Sequence, residues 1–325
     1  MRFYNIVITD KNNKPMMPAS LYGIGATTIT SKLPNGQTNP AALNVEFDIP
    51  VAFQHTPDEG TMVRIWGLGL KDIGTAFDLF GANITIYGGM EKGLPFANPA
   101  QQGILTKGKV LKAFGNWIGL EQTVDLIITP GSGTNDAPLN LVLDWKAGTS
   151  LKSALTTAIT TALPNAKQDI QISDRLVQNH DEPSFHATIS QLAQLLYPLS
   201  KSIITDDNYH GVNIAYDGIT VKAMDFTPAA SPPVAIAIQD LIGQPTWIDF
   251  RTIQVKVVLR GDLEIGQHIS IPPGLQTTTG TSNPNFGGTS FSGTFRIVKL
   301  HHYGNFRQQS SEDWNTTIEM IADKT

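Results

Sequence analysis

Apolar and polar residues alternate with a period of two through most of the first 130 residues. "NVEFDIP" places Val45, Phe47 and Ile49 on one face and Asn44, Glu46 and Asp48 on the other, the pattern of a half-buried strand. "TMVRIWGLG", "ANITIYGG" and "LEQTVDLIIT" repeat it, each bounded by Gly or Pro, and short strands punctuated this way predict a barrel or sandwich. From about 136 to 240 the period changes. "TSLKSALTTAITTALP" predicts a helix capped by Thr149 or Ser150, with Leu151, Leu155, Ala158, Ile159 and Ala162 on one stripe and a stop at Pro164. "PSFHATISQLAQLLYP" predicts a second helix with Ser184 as cap and Phe185, Ile189, Leu192 and Leu196 in line. "HGVNIAYDGITVKAMDF" reads as a hairpin turning at Asp217-Gly218.

The proline-rich "TPAASPPVA", residues 227–235, marks a boundary, after which "IQVKVVL", "TFRIVKLHHYG" and "DWNTTIEMI" return to strand periodicity. Residues 272–293 carry no charge and five glycines, and read as a long loop, either mobile or ordered against a partner. The expected architecture is mainly β with an α+β insert: residues 1–135 and 236–325 as β domains, and residues 136–235 as a small α+β middle domain.

Composition narrows the function. The 325 residues are long enough for two or three domains, and charged residues make up only 16% of them, a share suited to surfaces buried against partners. The net charge of −5, with no Lys or Arg cluster, argues against a phosphate-neutralising nucleic-acid site. There is no cysteine, hence no disulfide framework, thiolate nucleophile or Cys-ligated zinc, and this fits a reducing compartment. No apolar stretch of about 20 residues predicts a spanning helix, and "YNIVI" near the N-terminus is too short for a signal-peptide core.

Candidate chemistry is sparse. His301 and His302 stand side by side in a predicted strand, so their rings point to opposite faces and do not converge on one metal. Strict alternation would group His301 with Phe295, Ile297, Lys299 and Tyr303, and His302 with Arg296, Val298 and Leu300. The other histidines lack H-x-x-x-H or H-E-x-x-H spacing. Asp181 and Glu182 read as charges at the start of the second helix. "TDDNYHG" lacks the alternating acids and closing Glu of a calcium loop and reads as a turn. "GIGA", "GLGLKD" and "TPGSGTND" complete no phosphate-binding motif, and "GTSFSG" misses a nucleophile elbow by one residue of spacing. Trp66, Trp117, Trp145, Trp247 and Trp314 are dispersed, as core or interface residues are.

Two stretches together carry a family resemblance. "GTMVRIWGLGLKDIGTAFDLFGANITIYGGM", followed by "QQGILTKGKVLKAFGNWIGLEQTVDLIITPG", is similar to the first domain of the baseplate hub proteins at the tip of bacteriophage tails. "LIGQPTWIDFRTIQVKVVLRGDLEIGQHISI", "SGTFRIVKLHHYGNF" and "DWNTTIEM" follow the order of that family's second barrel. Asn305 departs from it, standing where an acidic residue is expected after the Gly.

The resemblance implies two tail-tube-like β-barrel domains per chain and a homotrimer. That ring would adapt a six-fold tail tube to a three-fold central spike and form part of a DNA ejection channel. Implied partners are the spike, tail-tube or tube-initiator proteins, the tape measure protein, baseplate wedge proteins and genomic DNA in transit. The implied location is the virion's tail baseplate, assembled in the host cytoplasm. Strand edges would join barrels across subunits, and a non-basic lumen would let DNA slide. No cofactor, metal or catalytic residue is expected. His302 is expected to fix the turn after its strand or meet a neighbouring subunit, and Trp66, Trp247 and Trp314 to serve as structural or interface residues. The alternatives are a tail-associated cell-wall-degrading enzyme, which needs paired carboxylates or a metal, and a receptor- or glycan-binding tail protein.

Overall fold

A computed structural model describes residues 1–18, 27–55, 60–91, 98–129, 138–206, 209–225, 232–249, 251–272 and 294–322. The "GIGA" turn, most of "TPGSGTND" with the boundary expected at 135, residues 227–231 of the 227–235 connector, Asp207 and Asn208, and nearly all of the 272–293 loop lie outside the described residues. The chain divides into two compact units: Met1–Val51, Gly60–Thr129 and Pro232–Thr325 form the larger, Ala52–Glu59 and Pro130–Ser231 the smaller.

The strands in chain order are β1 (Arg2–Thr9), β2 (Ile29–Thr30), β3 (Asn44–Ala52), β4 (Thr61–Trp66), β5 (Asn83–Met90), β6 (Gly103–Ile118), β7 (Glu121–Thr129), β8 (Leu141–Trp145), β9 (Lys167–Gln171), β10 (Glu182–His186), β11 (Asn213–Tyr216), β12 (Thr220–Met224), β13 (Val234–Ala235), β14 (Thr246–Asp249), β15 (Thr252–Val258), β16 (His268–Ser270), β17 (Thr294–Asn305) and β18 (Trp314–Ala322). The helices are α1 (Leu70–Gly74), α2 (Leu151–Ala162) and α3 (Ile189–Ile203).

In the larger unit the alternation does what period two requires. Tyr4, Ile6 and Ile8 of β1, Val45, Phe47 and Ile49 of β3, Val63 and Ile65 of β4, Ile84 and Ile86 of β5, and Leu126 and Ile128 of β7 point into one core. The fold is mainly β, and the N-terminal and C-terminal strands belong to one 13-stranded sheet with the main path β14-β15-β18-β17-β3-β4-β7-β6-β5-β1-β2. β17 and β3 are the neighbours that join the two halves.

That path contains the same four-strand order twice: β3-β4-β7-β6 and β14-β15-β18-β17. The registers agree as well. One rung crosses Lys112, Ile127, Met62 and Asp48, and its counterpart crosses Lys299, Glu319, Gln254 and Thr246. Both hairpins carry a bulge one residue before the rung, at Leu111 in β6 and at Val298 in β17.

The bulge corrects the expected faces of β17. One extra residue reverses the parity of everything after it. Ile297, opposite Met320, therefore shares a buried face with Leu300 opposite Ile318 and His302 opposite Thr316, whereas Lys299, His301 and Tyr303 face the other way.

The two halves meet at close backbone contacts. The Gly261 N–H donates to the Gln101 carbonyl at 2.9 Å, and a Cβ added to Gly103 would overlap the Gly261 carbonyl. Gly304 lies directly over the Phe47 ring and leaves no room for a side chain.

In the smaller unit, β8 and β10 form an antiparallel pair, and β11-β12-β9 a second sheet in which β12 and β9 run parallel. Leu151, Leu155, Ala158 and Ile159 of α2 and Ile189, Leu192 and Leu196 of α3 fill its core with Trp145. α2 begins as expected, with the Ser150 hydroxyl accepting from the Ser153 N–H at 3.4 Å. β11 and β12 pair around Asp217-Gly218, whose Gly has φ 85°.

The second helix does not begin at Ser184. Residues 182–186 are strand β10, and Thr188 is the cap, its hydroxyl accepting from the Gln191 N–H at 3.1 Å while the Gln191 side chain accepts from the Ala187 N–H at 2.8 Å. Pro198 lies inside this helix. Asp181 is correspondingly not a helix-terminal charge: it accepts from Lys146 Nζ at 3.1 Å and from the Ala147 N–H at 2.9 Å.

Because the Gly103 and Gly261 backbones touch, we expect Gly103→Ala to lower stability by about 1–3 kcal/mol, the cost of overpacking with a backbone shift. Urea unfolding of the two proteins measures the difference, and an unchanged midpoint contradicts the contact.

Candidate assembly site

The double histidine resolves into two environments. His302 is 2% exposed, and its Nδ1 shares a 2.9 Å hydrogen bond with the Thr316 hydroxyl across the β17–β18 hairpin. Thr316 Oγ1 also accepts from the Arg260 N–H at 3.0 Å. Burial, with the neighbouring His301 adding a smaller effect, pushes the His302 pKa down to about 3, so its imidazole is neutral. Its bond is across the hairpin, not within the following turn.

His301 faces the other way, its Nε2 lying 2.5 Å from Asp48 Oδ1 on β3, and two residues later Tyr303 donates to Glu46 at 3.3 Å. These contacts climb β17 as they descend β3, so the two strands run antiparallel. They stitch the C-terminal repeat to the N-terminal one. Arg260 continues the buried network: it forks onto Asp262 at 3.0 and 2.6 Å and reaches Asp240 at 3.3 Å, and Gln101 donates to the same Asp240 oxygen at 2.7 Å. Such a network is tolerable inside a core because each charge has a partner.

Trp314, opposite Gly304, is buried edge-on against Phe47 with ring centroids 5.1 Å apart, and its indole N–H donates to the Gly89 carbonyl at 2.9 Å. The Arg2 guanidinium lies 5.6 Å from its ring centroid and donates to the carbonyls of Asn305 and Ser310 at 2.5 and 2.6 Å. Trp66 is half-buried under Arg64, which forks onto Asp125 at 2.7 and 3.1 Å, with Asn116 donating to the same carboxylate at 2.9 Å. Trp247 sits on β14 opposite Ile253, beside an irregularity in the pairing. The structure therefore brings His302 and Trp314 onto one hairpin and keeps Trp66 and Trp247 apart, on β4 and β14. No group of three or more His, Asp or Glu side chains placed to hold a metal occurs among the described residues.

The more distinctive surface lies on the bulged half of β6 and the turn beyond it. Trp117 is 62% and Leu120 100% exposed, and Leu111, Phe114 and Ile118 are also exposed. Phe77 and Phe80, stacked at 5.8 Å, and Leu70 of α1 are exposed in the preceding segment. Several large apolar side chains exposed on one strand and the turn after it are the kind of surface that marks an interaction site. "FGNWIGL" carried the available signal: apolar residues at both strand parities, which a strand with one wet face does not have.

No family model and no curated protein matches the chain. Among solved structures, the 43 kDa tail protein of prophage MuSo2 from Shewanella oneidensis aligns over 99% of this chain and 98% of its own, at a TM-score of 0.51 and 7% identity. This is the fold of a phage tail protein. A tail protein from Neisseria meningitidis MC58 aligns over 87% of this chain and 96% of its own at 12% identity and a TM-score of 0.46. The E. coli c3393 protein, a type VI secretion component with structural similarity to the T4 tail proteins gp27 and gp5, aligns over 86% and 74% at 7% identity and a TM-score of 0.49.

His302 also dictates a pH response. The unfolded chain takes up a proton below the ordinary 6.5 and the folded chain resists until about 3, so stability held above pH 6.5 drains away as pH falls through that window. Between pH 6.5 and 4 this amounts to about 3 kcal/mol at 1.36 kcal/mol per pKa unit. Chemical denaturation of wild type and His302→Gln across that range should show a shallower slope for the variant; parallel curves would refute the assignment.

Proposed function

We propose that the protein is a non-enzymatic structural component of a phage tail, the baseplate hub, acting as a homotrimer. The ring adapts the six-fold tail tube to the three-fold central spike and surrounds part of the DNA ejection channel. The observation that carries this reading is the duplicated four-strand order within a fold shared end to end with a phage tail protein. Two equivalent strand sets per chain, taken three times, supply the six positions that such an adaptor needs.

Tail-tube or tube-initiator proteins, the spike, the tape measure and the baseplate wedges are the neighbours this role implies, and the location is the tail baseplate of the virion, after assembly in the host cytoplasm. The polar face of the joined sheet suits the channel. There Arg64 is neutralised by Asp125, and Asp48 and His301 pair with each other. His302, Trp314, Trp66 and Trp247 act as structural or interface residues.

Mass measurement of the purified full-length chain should give three copies, and particle images should show three-fold density with six similar lobes between tube and spike. A ring of another order, or cell-wall cleavage abolished by one carboxylate substitution, argues against the hub.

A further inference from the structure

The connection between β3 and β4 leaves one unit and is held by the other. β3 runs within the larger unit to Val51, Ala52–Glu59 belong to the smaller one, and the chain returns at Gly60. Of the four places where the chain crosses between units, those at 51–52 and 59–60 are the two ends of this strap. Its described part is fastened at three points inside the smaller unit. The Gln54 N–H donates to the Ile214 carbonyl of β11 at 2.7 Å, and the Gln54 side-chain carbonyl accepts from the Ser190 hydroxyl of α3 at 2.9 Å. The His55 imidazole lies flat on the Tyr197 ring of α3, with centroids 4.5 Å apart and planes within 5°, and the buried Phe53 stacks on the same imidazole at 6.2 Å.

His55 is the weak point of this fastening. Its Nδ1 is buried and meets no hydrogen-bond partner among the described residues. A neutral imidazole can leave a bare lone pair there, whereas an imidazolium must bury a charged N–H without an acceptor. The stack offers little relief. An aromatic face attracts a cation, but the Lys201 ammonium already lies 5.3 Å from the Tyr197 ring centroid, so a second positive charge on that ring meets a like charge. Tyr197 and Lys201 are the titratable groups of α3 in this stack, Ile214 of β11 and Phe53 of the strap add none, and Asp58 and Glu59 lie outside the described residues. Burial lowers the His55 pKa below its ordinary 6.5.

We propose that the strap is pH-sensitive, docked on α3 and β11 while His55 is neutral and released when its imidazole takes up a proton. In the released strap the imidazole titrates near 6.5, and in the docked strap it resists to lower pH. Docking is therefore complete above pH 6.5 and weakens as pH falls below it, by at most about tenfold per pH unit, the slope of a single proton. On release Phe53 leaves its buried seat and the chain between β3 and β4 becomes a plain loop. The smaller unit's fold then continues into the larger through the crossings at 129–130 and 231–232 alone.

Amide hydrogen exchange of the full-length chain, read by mass spectrometry from about pH 7.5 to 5 and corrected for the pH dependence of intrinsic exchange, tests this. His55→Phe keeps a ring on Tyr197 without a titrating group. In wild type the peptide containing residues 52–55 should lose protection below pH 6.5, by up to about tenfold per unit, while peptides of α2 stay protected. In His55→Phe the strap should stay protected throughout, and an Asp58→Asn/Glu59→Gln chain should behave as wild type. A wild-type strap that keeps its protection at every pH overturns the proposal, and so does a loss of equal size in His55→Phe. Loss from α2 in step with the strap means global unfolding and overturns a local device. A response that vanishes in the Asp58→Asn/Glu59→Gln chain belongs to those carboxylates and overturns the role of His55. Should His55→Phe leave α2 unprotected at neutral pH, His55→Gln replaces it with the same expected result.

Discussion

The pairing of β17 with β3 is the constraint on which the larger unit depends. It turns two four-strand sets, far apart in sequence, into one sheet, and it works only where the backbones can approach. Gly103 against Gly261 and Gly304 over Phe47 provide that approach without side chains. Around them, Trp314 reaches the Gly89 carbonyl, Arg2 gathers the carbonyls that follow β17, and the Gln101–Asp240–Arg260 network closes the junction away from water. A slipped register would strand that buried charge without its partners.

Much of the fold was legible because strands advertise themselves by period. Val45, Phe47 and Ile49, or Ile253, Val255 and Val257, alternate so cleanly that their faces follow directly, and α2 follows from its cap and its stripe. The start of α3 is written in the sequence too, as the T-x-x-Q of Thr188 and Gln191, although the expected cap was Ser184. Val298 was not readable. A bulge is a backbone event, and "RIVKLHH" continues to look like unbroken alternation when the inside has changed sides. Nor could the duplication be seen, since Lys112, Ile127, Met62 and Asp48 share almost no chemistry with Lys299, Glu319, Gln254 and Thr246. What repeats is hydrogen-bond register.

The candidate site was legible only in part. The double histidine is one neutral core residue and one partner of Asp48. The exposed aromatics of β6 are hard to read from sequence, because an aromatic in a strand is usually core. Exposure is a property of the folded surface, and local sequence carries little of it beyond the loss of alternation in "FGNWIGL".

Housing two equivalent strand sets in one polypeptide has a kinetic consequence. The strands of the β3–β17 junction are tethered to each other, so they meet at an effective concentration set by the chain rather than by expression level. In the proposed ring, half of the junctions are then in place as soon as each polypeptide has folded. Only the other half depend on encounters between molecules, which makes the rarest, most concentration-sensitive step of building the structure half as frequent as it would be for a single-repeat subunit.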